Sequence, residues 1–393
     1  MSEWKEYKLG DLISIKGGFS YKGEYIGTGD KFLLGMGCVS YSKTFLQSGA
    51  RPYSGDCFDR FYAKPFDIVL ATRQQSDNLP ILGLPAIIPQ SFWGEKVIVG
   101  TNLYKVDNYS EVDNKYLYWL MRSPNYINYI HSCSKGSTVK MITKDAVESF
   151  VFMCPPKEER DFISGLLWQI EDKIDLLNRQ NQTLESMAEA LFRHYFFDNS
   201  ADKIEDVQLG EVVETMSGGT PFRKKSQYYT NGTINWIKSK ELIGTYIFET
   251  EEMITEEALS NSSAKYIPAS SILIAMYGAN VGEYGITAKP MTCNQAICAL
   301  IPNKAYPFTY LYLWTKTMKP EFINLSCGAA QQNISQIVIR QQYVCGDREC
   351  VSNFHNTVVH YFDKIKSNQS QILTITKLRD SLLTKLMSNE INL

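Results

Sequence analysis

The sequence predicts an α+β protein: two mixed domains, each followed by a long helix, the two helices forming an antiparallel coiled coil with pseudo-twofold symmetry. Three observations predict it: an internal repeat, a change of character within each copy, and two matched apolar seams. Leu9-Gly10-Asp11 with Gly17-Gly18 returns as Leu209-Gly210-Glu211 with Gly218-Gly219. Asp67 to Ala71 returns as Ser271 to Ala275, Thr101-Asn102 as Cys293-Asn294, Tyr116 to Trp119 as Tyr310 to Leu313, and Asp172 to Ile174 as Asp363 to Ile365. The offsets are 200, 204, 192, 194 and 191, so order is kept while loops change length. Two copies are too few for a solenoid; they imply two related surfaces in a fixed relation.

Residues 1–155 read as the first mixed domain, rich in aromatic and β-branched residues with Gly/Pro punctuation. Asp67 to Ala71 and Lys96 to Val99 read as buried strands, being brief, apolar and bounded by turn residues. Tyr116 to Met121 reads as a short helix. Residues 156–200 are the first long helix. Lys157 to Phe197 holds no proline and only Gly165, enough for a helix of about 60 Å. Pro155-Pro156 and the acids Glu158-Glu159 mark its start. Its apolar positions step Ile163, Leu167, Ile170, Ile174, Leu177, Asn181, Leu184, Ala188, Leu191, alternating four and three, which is a coiled-coil seam rather than the broader stripe of a helix on a globular core.

Residues 201–346 are the second mixed domain, with a strand at Ser271 to Ala275 and a helix at Phe308 to Lys316. Residues 347–393 are the second helix, free of Pro and Gly from Arg348 to Asn389. Adding 191 to the first seam gives Phe354, Val358, Tyr361, Ile365, Asn368, Ile372, Ile375, Arg379, Leu382. In an antiparallel pair, a positions face d positions. Asn181 then meets Asn368, Leu184 meets Ile365, Ala188 meets Tyr361, Leu177 meets Ile372 and Ile174 meets Ile375. The alternative is that both amides are wetted or contact a partner subunit. Two such domains on a helical rod suit a duplex with two half-sites.

Composition narrows the class. An apolar fraction of 44% and a charged fraction of 21% are those of a soluble globular protein, and no segment is apolar enough to span a bilayer. Met1-Ser2-Glu3-Trp4-Lys5-Glu6 does not resemble a signal peptide. Nine cysteines without disulfide-like spacing suggest reduced thiols and a cytoplasmic location. With a net charge of −2, any nucleic-acid partner requires segregated basic residues or help from another subunit.

Catalytic signatures are missing. There is no phosphate-binding Gly-x-x-x-x-Gly-Lys-Ser/Thr loop, and no Asn/Asp-Pro-Pro-Tyr/Phe of the amino-methyltransferase type. Cys154-Pro155-Pro156-Lys157 only echoes the latter. Gly35-Met36-Gly37 follows a strand-like run, but its counterpart is Lys238-Ser239-Lys240, which favours a framework turn. Cys345, Cys350, His355 and His360 recur every five residues, which on a helix makes the side chains diverge, so no metal site is expected. No catalytic residue is assigned.

Three pairs of matched loops are the candidate binding residues. Lys16, Gly17, Gly18, Ser20, Tyr21 and Lys22 match Ser217, Gly218, Gly219, Thr220, Arg223, Lys224 and Lys225, where backbone N–H groups and cations could meet phosphate. Arg73, Gln74, Gln75, Ser76 and Asn78 match Tyr277 and Asn280; Arg, Gln and Asn read base edges in the major groove. Lys135, Ser137, Thr138 and Lys140 match Gln331, Gln332 and Asn333. Lys238 and Ser239 complete the set. For each loop an ordinary polar surface turn is the open alternative.

These residues resemble the specificity subunit of type I restriction–modification systems over nearly the whole chain. The resemblance rests on Leu9-Gly10-Asp11 with Gly17-Gly18, on Ser217 to Pro221 followed by Ile234-Asn235-Trp236-Ile237, on Pro155-Pro156 with Glu158-Glu159, and on the paired helices. It implies two target-recognition domains that each read half of a bipartite DNA sequence, with the helices setting the gap and docking two methyltransferase subunits. It also implies a motor–nuclease subunit for restriction, adenine methylation from S-adenosylmethionine, and ATP and Mg on partner subunits, with no cofactor on this chain and no membrane. The second helix start, Cys345-Gly346-Asp347-Arg348-Glu349, lacks the paired prolines of the first. Competing readings are a DNA-binding scaffold outside restriction, a stand-alone DNA-modifying enzyme, and a carbohydrate-binding scaffold. Methyl transfer by the chain alone would favour the enzyme, and salt-independent binding the sugar binder.

Overall fold

A computed structural model describes residues 4–74, 80–136, 139–198, 206–326 and 333–388. The chain divides into two compact units, residues 1–173 with 375–393 and residues 174–374, the division passing through both long helices.

The first unit is built on two four-stranded sheets. One runs in the order Ile13–Gly17, Leu103–Asn108, Ile68–Ala71, Pro85–Ile87, all antiparallel. The other runs Ala50–Tyr53, Ile26–Leu34, Lys96–Val99, Tyr62–Ala63, with Ile26–Leu34 and Lys96–Val99 parallel. Ile68–Ala71 is buried on both faces, which its unbroken apolar run requires. A short ribbon of Lys5–Lys8 with Val151–Cys154 ties the start of the domain to its end.

The second unit repeats this plan. Glu214–Ser217, Ile297–Ile301, Ile272–Ala275 and Tyr284–Thr287 lie in the same order, with Tyr246–Ile247 added at the edge. Ile234–Ile237 and Thr292–Cys293 are the parallel pair, and Asp206–Gln208 joins Tyr343–Cys345. Phe308–Ser326 is longer than expected, continuing through Pro320.

The long helices span Lys157–Arg193 and Arg348–Met387. The first is followed by a wider helical turn over His194–Asp198. The second needs no prolines at its start because Asp347 caps it: the Asp347 carboxylate accepts the N–H groups of Glu349 and Cys350, both at 3.0 Å. In the second unit Phe192 packs edge-on against Phe354, while Asn368 Nδ2 donates to Asn181 Oδ1 at 2.9 Å. Those pairs run in opposite senses along the chain, so the helices are antiparallel there.

The seam departs from a pure coiled coil at its ends. Ile163, Leu167, Leu383 and Leu386 belong to the core of the first mixed domain, and Phe354, Val358 and Phe362 to that of the second. The expected seam residues Ile170, Tyr361 and Leu382 are only half-buried; their neighbours Glu171, Phe362 and Leu383 are buried instead. Each helix end faces a domain wall as well as its partner, and this turns the buried stripe by one residue. Within the first unit Glu171 meets Arg379 at 2.7 Å, both almost fully buried. Eight described cysteines are all free thiols. No described helix is long and apolar enough to cross a membrane.

Candidate nucleic-acid interface

Strand register gathers the candidate loops. In the first unit Gly17 lies opposite Tyr104 and Ala71 opposite Leu103. Because the middle strand is antiparallel to both neighbours, the loop after Gly17 and the loop after Ala71 leave the same end of the sheet. The third loop joins them: Lys140 pairs with Gln74, Met141 with Arg73, and Lys135 bridges to Met141. In the second unit Ser217 lies opposite Cys298 and Ala275 opposite Ile297. There Tyr277 bridges to Asn333, and the Ile334 N–H donates to Met276 O at 2.9 Å. Both units therefore bring three sequence-distant loops to one sheet end. Gln75, Ser76, Asn78, Ser137, Thr138, Gln331 and Gln332 lie outside the described residues.

The paired glycines have a different role from the phosphate cradle expected of them. The N–H of Gly18 donates to Leu103 O at 3.1 Å, and that of Phe19 to Val99 O at 2.7 Å. Gly218 and Gly219 donate to Ile297 O and Cys293 O. A Cβ on Gly18 would stand 1.9 Å from Gly100 O, and one on Gly218 2.2 Å from Asn294 O. Glycine is required here so that two backbones can touch. Gln74 is likewise a correction: it is buried, and its Oε1 accepts the Leu82 N–H at 3.4 Å, so the side chain braces its loop rather than reaching a base.

The cations divide by unit. In the first, Lys16, Arg73 and Lys135 are exposed, and the Lys22 side chain is 76% exposed with only a loose partner in Glu24 at 3.9 Å. Lys144, overlooked in the sequence, joins them: a Cβ on Gly17 would lie 3.8 Å from its ammonium. Its position just after the third loop was the available signal. In the second unit the cations are already paired. Arg223 and Lys238 share Glu252, Lys238 and Lys240 share Glu251, and Lys225 holds Glu257 at 2.8 Å. Among the described residues Lys224 has no ion pair. Partial burial opposes ionisation of Glu252, but hydrogen bonds from Lys238 and Arg223 outweigh it and hold the carboxyl below the usual carboxylate range.

Hydroxyls in the second unit fix loops to the framework. Ser217 Oγ donates to Gln336 Oε1 at 2.7 Å, Gln336 Nε2 donates to Thr215, and Thr220 is bound to Gln295. Ser20 and Tyr277 are exposed, Tyr21 and Asn280 are half-buried, and Ser239 begins a short turn matching that at Met36–Cys38. The spaced Cys/His set does not converge: Cys345 Sγ and Cys350 Sγ reach the carbonyls of Asp347 and Tyr195, and His355 Nδ1 bonds Thr309.

A family model described as the type I restriction–modification DNA specificity domain matches residues 1–186 and 201–344. The type I restriction enzyme MjaIX specificity subunit of Methanocaldococcus jannaschii is 23% identical over 99% of this chain and 94% of its own. The HindI specificity subunit of Haemophilus influenzae is 25% identical over the full length of both. The crystal structure of a type I restriction–modification S subunit from M. genitalium shares the fold, with a TM-score of 0.61 at 14% identity, covering 98% of this chain and 96% of that one.

Proposed function

The chain belongs to the type I restriction–modification DNA specificity family, and from that premise we propose that it recognises a bipartite duplex target, each mixed domain reading one half. It contributes no catalytic residue of its own on this reading. It directs adenine-N6 methylation, and restriction, by subunits that dock on it: two methyltransferase subunits and a motor–nuclease, which carry S-adenosylmethionine, ATP and Mg. A cytoplasmic location goes with that role.

The observation that carries the proposal is the gathering of three loops at one sheet end in both units, on a shared framework with unlike side chains. A framework needs to be constant to hold the loops, while the tips must differ to read different bases. The first domain offers exposed cations, and the second an exposed aromatic, Tyr277, with the amide of Asn333. The experiment is binding of the chain, with its modification subunits, to duplexes carrying and lacking the methylated site found by methylome mapping. Preference for the mapped duplex with strong salt dependence is expected. Equal binding to all duplexes, or methylation that persists without the chain, would refute the proposal.

A further inference from the structure

An aromatic–cation dipeptide stands three residues beyond the paired glycines in both copies: Tyr21-Lys22 and Phe222-Arg223. The two units use it differently. In the first, the aromatic is turned down: Tyr21 is half-buried, its ring 6.5 Å from Tyr53 and its hydroxyl accepting from Arg51 at 3.5 Å. Lys22 is left outside. In the second, the cation is held at the surface by partners, its side chain still 49% exposed. The Arg223 guanidinium lies 4.6 Å from the ring centres of both Tyr229 and Trp236 and is bound to Glu252. Phe222 is left outside, 65% exposed.

The loop carrying Phe222 is braced on both sides. Trp236 Nε1 donates to Gly219 O at 2.9 Å, Thr220 is held by Gln295, and Tyr229 OH donates to Pro221 O at 2.6 Å. The Lys225 N–H donates to Phe222 O at 3.0 Å, and Lys225 itself is tied to Tyr228 and Glu257. A lone exposed aromatic is unremarkable on a surface. One held out by a loop in which every neighbour but Lys224 is anchored, at the matched position of a recurring dipeptide, is preorganised for a partner.

We infer that Phe222 makes an apolar contact with a base in the half-site read by the second domain. This rests on the reading of the chain as a duplex-binding protein. With Arg223, Lys225 and Lys238 already neutralised by carboxylates, the second tip offers a duplex apolar surface where the first offers charge. In a duplex the bases are stacked and present their edges, and thymine supplies the matching chemistry through its methyl group in the major groove.

The test uses the full chain with its modification subunits and a duplex carrying the mapped site, titrated over a range of salt. Phe222→Ala is expected to weaken binding about tenfold at every salt concentration, leaving the salt slope unchanged, while Phe222→Trp stays within about threefold of the parent. Lys22→Ala is expected to lower the slope by about one. Parental affinity for Phe222→Ala, or a loss that changes the slope, overturns the inference. So does a loss traced by co-purification to weaker association with the modification subunits, since the face is then a protein interface. If the parent complex itself shows no salt-dependent duplex binding, the DNA reading fails before Phe222 is tested, and the two failures are told apart.

Discussion

At the scale of single residues, charge pairing decides more than charge content. The run Arg223-Lys224-Lys225 is conspicuous in the sequence, but its carboxylate partners lie about thirty residues away at Glu252 and Glu257, so the neutralisation was not legible there. Removing all three cations is therefore expected to flatten the salt slope by fewer than three units, with Lys224 contributing most. Glu252→Gln should do the reverse. It frees Arg223 and Lys238 from a shared carboxylate, so affinity for random duplex should rise and the salt slope should steepen by about one. Unchanged random-duplex binding would show that those cations do not face the duplex. Acid does not mimic this change at ordinary pH. The Glu252 carboxyl is held below 4.5, so its stabilising contribution is complete above that value and fades only as pH falls through the lower folded value.

At the scale of elements, the four–three spacing made the helices legible, because a seam period is a property of the chain itself. The same spacing sets Asn181 opposite Asn368, and in the structure those amides are hydrogen-bonded. What spacing does not contain is the domain wall beside each helix end. It therefore pointed to Ile170 where Glu171 is the buried residue. The signal that could have found Glu171 is Arg379, a cation in an apolar seam that needs an acidic partner. Two stability measurements follow. Asn181→Leu alone leaves the Asn368 amide only its longer contact to Gln180 Oε1 at 3.4 Å and should destabilise by about 1–3 kcal/mol, whereas replacing both by Leu should stabilise the pair while loosening its register. Arg379→Ala should destabilise by about 3–5 kcal/mol, because it leaves Glu171 buried and unpaired; Arg379→Leu with Glu171→Leu should be nearly neutral. Equal denaturation midpoints for Arg379→Ala and the parent would mean that water reaches Glu171.

At the scale of the whole molecule, the repeat was legible as ordered matches with drifting offsets, and both units share one strand order. The loops were legible as places, since turn chemistry and position mark them, but the work of each side chain was not. Gly18 and Gly218 serve backbone contact and Gln74 braces its loop, because long-range neighbours decide which polar groups are already satisfied. The central claim is that each mixed domain reads its own half-site. It is tested most directly by exchanging residues 1–155 for the equivalent domain of a relative and mapping the methylated sites of a host carrying the hybrid system. One half-site should change and the other should stay as it was; both changing, or neither, would contradict the account.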